Sequence, residues 1–558
     1  MKLRWLFFVV FISSLVVYFN YTTQRFQAAA PVETKQIYTH TVILLPLDSR
    51  PPCRQFVVDA GKIANIKVIV PPPNILDYYT QSGDTKALRL WLAENIKQAD
   101  AAIISIDQLI HGGLLASREA RSKESDEIEA LDFLEKLHAD NLKIPIYAFN
   151  ILPRIYPTAS IDNYKDQKAL IKYSRLLDEL ATFENPLDLD ELNQIQKKIK
   201  PEIIEKYKSL YTKNTLLNEK LSALAKQGVL TKLIIAQDDG QDFGIPNMEK
   251  RQIQRYLHQE NIYSSQVTST RGADEVALTL LSDINNKQES YQPKIYVEYC
   301  DEAAPKTIMP YMPCSVATTV KEKIALVNGQ LVNNPVAADF ILYVYIGNEK
   351  NLSQRIQSTK KIEGFLKQNY KVALVDLSKH FLAEETLFPI LLNHNIPLNQ
   401  LIAYAGWNTT SNAVGTAITQ ASLFTEKLRT PLSSANALLL YKNNLTFLNN
   451  RYVEDYYYLK EVIDLVNVNL KKSGFTNVND LDLDHNYKWA NDMLQTGLTK
   501  RTTLLKYSKA YKQSIPVHTT DGDLLLKIND IQIEASYPWP RTFEIYLEAT
   551  LSLGKIDY

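Results

Sequence analysis

From residue 41 onward the chain repeats one pattern: a short apolar run rich in β-branched residues, a polar or glycine-containing break, then a stretch with helical spacing. The runs at 41–47 (TVILLPL), 66–70 (IKVIV), 101–106 (AAIISI), 144–149 (IPIYAF) and 231–236 (TKLIIA) form a first set. A second set follows at 294–299 (KIYVEY), 339–346 (DFILYVYI), 371–375 (KVALV) and 400–405 (QLIAYA). The runs are almost continuously apolar instead of alternating, which marks strands covered by helices on both faces. Strand and helix in alternation predict an α/β fold. Its parallel-sheet core, Rossmann-like or barrel-like, is expected in two parts, with crossover helices at 85–98, 122–139 and 411–425.

Two stretches break this rhythm. About 80 residues separate the strands ending near Asn150 and Ala236, far more than a crossover needs. Ile195, Ile199, Ile203, Tyr207 and Leu210 recur there at three- and four-residue spacing, and Gly228 can stop a helix. A helical insertion over 160–228 is therefore expected, bordering the strand ends. Beyond about residue 430 the pattern changes to helical segments near 452–470 and 485–512, then alternating runs around 523–535 and 543–552. The predicted organisation is an N-terminal α/β domain over 38–290 carrying the insertion, a second α/β domain over 291–430, and a C-terminal α+β region over 431–558. No repeat of solenoid or propeller period is present.

The first residues form a separate signal. Lys2 and Arg4 precede an apolar run from Trp5 to Phe19, the charge-then-apolar order of a secretory signal peptide or signal anchor over 1–30. The run is shorter than the roughly 20 residues that span a bilayer, which favours a signal peptide. The nearest small-residue cleavage candidate, Ala28 to Ala30, lies well beyond it, which keeps an anchor open. Export is expected, with the protein periplasmic, secreted or anchored to the cytoplasmic membrane, and touching membrane only through this segment.

Composition narrows the partners. With 62 Lys plus Arg against 62 Asp plus Glu there is no net field to hold a phosphate backbone, so nucleic acid is excluded as the expected partner. A small molecule or glycan is expected instead. Cys53, Cys300 and Cys314 are too few for a disulfide framework. Cys300 and Cys314 are near enough in sequence for one bridge, and three unpaired thiols are the equal alternative.

The candidate chemistry lies where parallel strands end, because ligands bind beyond their carboxyl ends. Asp48 and Arg50 follow the first run (LPLDSRPP), Asp107 and His111 the third (SIDQLIHGG), Asn150 and Arg154 the fourth (FNILPR), and Asp238 and Asp239 the fifth (AQDDGQDFG). Asp301, Glu302 and Asp376 follow later runs. Any one Asp there is ordinarily a turn former or helix cap. Their recurrence on one sheet predicts a shared polar cleft, with Asp238, Asp239, Asp48 and Asp107 as catalytic carboxylates and Arg50, His111, Asn150 and Arg154 as binding groups. In YAGWNTTSNAVGT (404–416), Trp407 can offer a ring to a sugar face while Asn408 and Asn412, four apart, bind hydroxyls. The alternative is a packed Trp407 with local caps.

No phosphate-binding loop, nucleophile elbow, HExxH or CxxC pair is present, so no cofactor is expected. The scattered histidines give a zinc site little support. No metal is expected, although Asp48, Asp107 and Asp238 would suit a hard cation if they met.

The segments LPLDSRPP (45–52), SIDQLIHGGLLASR (105–118), AQDDGQDFG (236–244), RGADEVALTLL (271–281), YAGWNTTSNAVGT (404–416) and PWPRTFEI (538–545) together resemble a bacterial family, domain of unknown function 4127, over nearly the whole mature chain. The resemblance implies a shared fold and site and carries no activity. At His111 the family has a Tyr before the two glycines, which argues against an obligatory role for this His. The function expected from the residues is an exported hydrolase with a carboxylate-lined cleft, acting on a glycoside or related polyol. The alternatives are a non-catalytic sugar-binding protein of the envelope and a structural envelope protein.

Overall fold

A computed structural model describes residues 30–31, 35–119, 122–157, 164–347, 351–557 of the chain. The expected export signal over 1–30 lies outside these residues apart from Ala30, which with Pro31 pairs with the last strand. Among the described residues no helix is long and apolar enough to cross a membrane.

The fold is α/β, with two parallel sheets and a smaller antiparallel one. The first sheet contains β1 (His40–Leu45), β2 (Ile66–Ile69), β3 (Ala101–Ser105), β4 (Ile146–Leu152), β5 (Lys232–Gln237) and β6 (Val267–Arg271), in the order β2-β1-β3-β4-β5-β6. The second contains β7 (Lys294–Tyr299), β8 (Gln330–Val332), β9 (Phe340–Gly347), β10 (Val372–Ser378) and β11 (Ala403–Ala405), in the order β11-β10-β9-β7-β8. Both sheets are therefore doubly wound open sheets with the same opening order, the second strand outside the first and the third on its other side. Neither closes into a barrel.

The runs read as strands have their side chains buried in the middle of each sheet: β3, β4, β5, β9 and β10 are buried along their whole length. The two strands without an apolar run, β6 (VTSTR) and β8 (QLV), lie at sheet edges, where one backbone side is unpaired and their side chains are only partly buried.

The helices Val276–Gln288 and Thr410–Lys427 pack against each other. From Thr410 to Glu426 every residue is buried, polar ones included. Small residues allow this approach, since the Gly415 position abuts the Glu275 side chain. One apolar cluster runs from the first sheet through these helices to the second sheet and the C-terminal region.

The stretch expected as a helical insertion holds the helices Tyr164–Phe183, Pro186–Gln196 and Pro201–Lys226, with their own small core around Tyr173, Leu192 and Tyr207. The C-terminal region opens with helix Ser434–Arg451, which continues into an eleven-residue π-helix, Tyr452–Val462. Such π turns are rare and concentrate at functional sites. Helix Tyr487–Tyr507 then covers one face of an antiparallel sheet of β12 (Ile515–Thr519), β13 (Gly522–Ser536) and β14 (Tyr546–Asp557). The segment between β13 and β14 returns to the first sheet, where Trp539 is buried, donates from Nε1 to Ser49 Oγ at 2.9 Å and stacks on Arg50.

All three cysteines are free, with Cys53 and Cys300 buried, so the bridge between Cys300 and Cys314 does not form. Unfolded without reductant, the protein should release three thiols to Ellman's reagent, and native protein should react mainly at Cys314, which is only partly buried. A titration of one thiol after unfolding would show a bridge.

Candidate functional site

The carboxyl ends of both parallel sheets open on one cleft of about 600 Å³, within the usual range for small-molecule sites. The first sheet supplies Arg154 after β4, Asp238 and Asp239 after β5, and Asp274 after β6. The second supplies Tyr311, Phe381 and Asn408 from the loops following β7, β10 and β11. The third wall is C-terminal: Lys460 from the π-helix, Asp464 from the next turn, and Arg541 and Phe543 from the segment between β13 and β14.

The loops are held under strain. Tyr311, Phe381 and Asn408 all have positive φ, at 64°, 61° and 52°. For bulky aromatic residues this conformation is costly and persists only where surrounding structure enforces it. The enforcing contacts are visible for Phe381. Glu385 accepts from Ser378 Oγ at 2.8 Å and from the His380 backbone N–H at 2.9 Å, and meets His380 Nδ1 at 2.6 Å. Gly347 at the end of β9 lets the Glu385 carbonyl approach so closely that a Cβ would collide with it. These loops present two partly exposed rings, Tyr311 and Phe381, to the cleft, and Phe543 of the C-terminal segment adds a third. Tyr311 lies 6.2 Å from Phe381, centroid to centroid.

The carboxylate pair after β5 is split by its surroundings. Asp238 is buried and ion-paired to Arg118, whose Nε donates at 3.1 Å, and Asp238 Oδ1 also accepts the Asp239 backbone N–H at 2.8 Å. Burial disfavours its charge, but Arg118 and Arg154 outweigh this, so Asp238 titrates below the ordinary carboxylate range. Asp239 is half-buried and its carboxylate has no hydrogen-bond or ion-pair partner among the described residues. Burial, with the neighbouring Asp238 charge, pushes it up to about 7. One neutral and one ionised carboxyl therefore stand side by side near neutral pH.

Arg154 completes this corner. Its Nε is buried without a partner, and no described residue accepts from its guanidinium. Arg118, followed by burial, pulls it down to about 10. On the opposite wall Lys460 is also buried, lies 5.2 Å from the centre of the Phe381 ring and has no acceptor among the described residues. Burial lowers its pKa.

Beneath the cleft, Arg50 Nη2 bonds Asp48 Oδ2 and Asp274 Oδ1, both at 2.6 Å. Asp274 Oδ2 also accepts from Asn412 Nδ2 at 3.5 Å. Asp48, Cys53 and Asp274 are the one group of potential metal ligands that meet among the described residues, and the guanidinium already supplies the cation between the two carboxylates.

Of the expected site residues, Asp238, Asp239, Arg50, Arg154, Asn408 and Asn412 line the cleft and the others do not. Asp48 is fully buried as the partner of Arg50. Asp107 is buried, accepts the Ile151 backbone N–H at 3.0 Å and is pushed by burial to about 7, so it braces two strand ends away from substrate. Asn150 donates to Asn218 Oδ1 at 3.1 Å and ties β4 to the insertion. His111 meets Ser122 Oγ at 2.6 Å outside the cleft, and burial lowers its pKa to about 4. The hard-cation trio of Asp48, Asp107 and Asp238 does not assemble, because each carboxylate is committed to a different partner. Trp407 is 2 % exposed and packs 6.2 Å from Phe543, so the ring expected to face a sugar is interior; Phe543 takes the exposed place. Asp301 caps a short turn at Ala303 and Ala304, and Asp376 accepts from the Leu387 and Phe388 backbone.

The insertion borders the cleft from behind and contributes no lining side chain among its described residues. Tyr211 and Tyr207 donate to the carbonyls of Arg154 and Ile155 at 2.9 and 2.7 Å, which fixes the loop that presents Arg154.

Several lining residues lie inside segments the sequence had already marked. Arg118 ends SIDQLIHGGLLASR, Arg271 and Asp274 open RGADEVALTLL, and Arg541 and Phe543 lie in PWPRTFEI. Tyr311, Phe381 and Lys460 have no such marker; positive backbone angles and a π-helix bring them in. The model of the family described as "Protein of unknown function (DUF4127)" matches residues 42–548. No curated protein matches the chain.

Proposed function

The chain belongs to the DUF4127 family, and for this member we propose an exported hydrolase that cleaves a glycoside or related polyol substrate in the cleft. The observation that carries the reading is Asp239: a carboxyl lining the cleft without a hydrogen-bond or ion-pair partner among the described residues, raised to about 7 beside an ionised Asp238. A group poised there can protonate a leaving oxygen at neutral pH. Asp238, locked to Arg118, supplies the field that keeps Asp239 protonated and is too firmly held to act as nucleophile. Asp464, on the facing wall and without an ion pair among the described residues, is the carboxylate available to take a proton from attacking water. Tyr311, Phe381 and Phe543 offer the apolar faces that sugar rings stack on, and Asn408 and Asn412 offer amides for hydroxyls. The charge-then-apolar order of residues 2–19 supports export.

The test is a screen of the full chain against glycoside libraries with product detection. With a substrate in hand, kcat/KM should fall as pH rises through about 7, because the acid must be protonated in the free enzyme. A flat profile from pH 6 to 8 would remove Asp239 from this role. A second reading, non-catalytic sugar binding, draws on the two facing sheets of like order, which suit closure around a solute. It predicts ligand capture with no turnover of any library member.

A further inference from the structure

Among the described residues, one guanidinium in the corner of the cleft around Asp239 has neither an ion pair nor a hydrogen-bond acceptor. Arg118 is neutralised by Asp238, and Arg541 is held in a two-point pair with Glu544 at 2.7 and 2.6 Å. Arg154 stands in the electrostatic reach of both guanidiniums and of the Asp238 and Asp239 carboxylates, and it has no ion pair of its own among the described residues. Asp239 is near enough to feel Arg154, yet no ion pair joins them within 4.0 Å. A guanidinium left unpaired in a partly dry cleft is expensive to keep, and its planar fork matches an oxyanion with two oxygens. The Arg154 backbone carbonyl accepts from Tyr211, so the point from which the side chain projects is fixed before a ligand arrives.

We propose that the substrate carries an oxyanion, a carboxylate or sulfate on its sugar ring, which Arg154 binds next to the bond on which Asp239 acts. The position of that bond rests on the hydrolase reading; the anion requirement does not. An acidic sugar gives the Arg154 guanidinium the ion pair that no described residue makes with it, whereas a neutral sugar does not. On the opposite wall Lys460, buried and without an acceptor among the described residues, is a second cation of the cleft, with the Asp376, Asp455, Glu385 and Asp464 carboxylates near enough to act on it.

Calorimetric titration of the full chain with glucuronate, glucose 6-sulfate, glucose and inorganic sulfate tests this without requiring turnover. One or both acidic sugars should bind at least tenfold tighter than glucose, and whichever binds identifies carboxylate or sulfate as the anion. Arg154→Gln should abolish that preference, and Arg154→Lys, which keeps the charge and loses the fork, should retain part of it. Circular dichroism establishes that both variants are folded, and the lysine variant alone decides if the glutamine variant is not. Equal affinity for glucose and the acidic sugars would overturn the proposal. So would a preference that survives Arg154→Gln, or inorganic sulfate binding as tightly as the acidic sugars. Asp239→Asn separates the two ideas: if it keeps full turnover while the acid preference persists, the acid role of Asp239 fails and the anion site stands, whereas an acid preference with no turnover of any glycoside by the parent protein removes the hydrolase reading alone.

Discussion

Asp239→Asn should lower kcat by about a hundredfold or more, the usual scale for a lost acid-base group, while leaving the fold at least as stable. The two effects come from one cause. The Asp239 carboxylate makes no hydrogen bond or ion pair among the described residues, so the amide removes no bond. It removes a charge that burial and Asp238 both disfavour. The pH dependence follows from the sign of the shift. A carboxyl raised to about 7 from an ordinary value near 4 binds its proton more tightly in the folded state. Its contribution to stability is fully present below about pH 4 and is lost as pH rises to 7. The variant lacks that loss, so its advantage over the parent should be absent at pH 4 and greatest above pH 7. Urea unfolding at both pH values checks this. A variant that is both less stable and fully active would mean that Asp239 braces the loop and takes no part in chemistry.

Arg118→Gln should be the most destabilising change in the cleft, by about 3–5 kcal/mol, because it leaves the buried Asp238 carboxylate without its cation. Its signature is recovery in the double variant. Adding Asp238→Asn removes the orphaned charge, so Arg118→Gln with Asp238→Asn should be far more stable than Arg118→Gln alone. Arg118 also lowers the Asp239 pKa, so in the single variant the alkaline limb of kcat/KM should move to higher pH. Additive effects in the double-mutant cycle would show that the pair is a surface contact of little weight.

The legible part of the fold was local. Continuous apolar runs marked β3, β4, β5, β9 and β10 because a strand covered on both faces must be apolar throughout. An edge strand such as β6 needs no such run, and helix Thr410–Lys427 shows no polar stripe because no side of it meets water. Within the site, the residues directly after strands were readable from topology, since parallel strands deliver their carboxyl ends to one side. Which of them face substrate was not readable, as strand-end carboxylates serve equally as braces. Asp107 and Asp48 spend their oxygens on Ile151 and Arg50, whereas Asp239 spends none of its carboxylate oxygens on a described residue.

Residue order along the chain was therefore enough to establish an α/β protein with two parallel sheets, a charge-balanced composition and carboxylates placed at strand ends, because periodicity and composition act through near neighbours. The identity of the cleft depends on contacts across hundreds of residues. Arg118 meets Asp238, Arg50 meets Asp274, Trp539 returns to Ser49, and Lys460 comes from a π-helix to face both sheets. No local pattern encodes those meetings. They separate an unpaired carboxyl and an unpaired guanidinium from like residues, because a charge is free or satisfied according to which partner the fold places beside it.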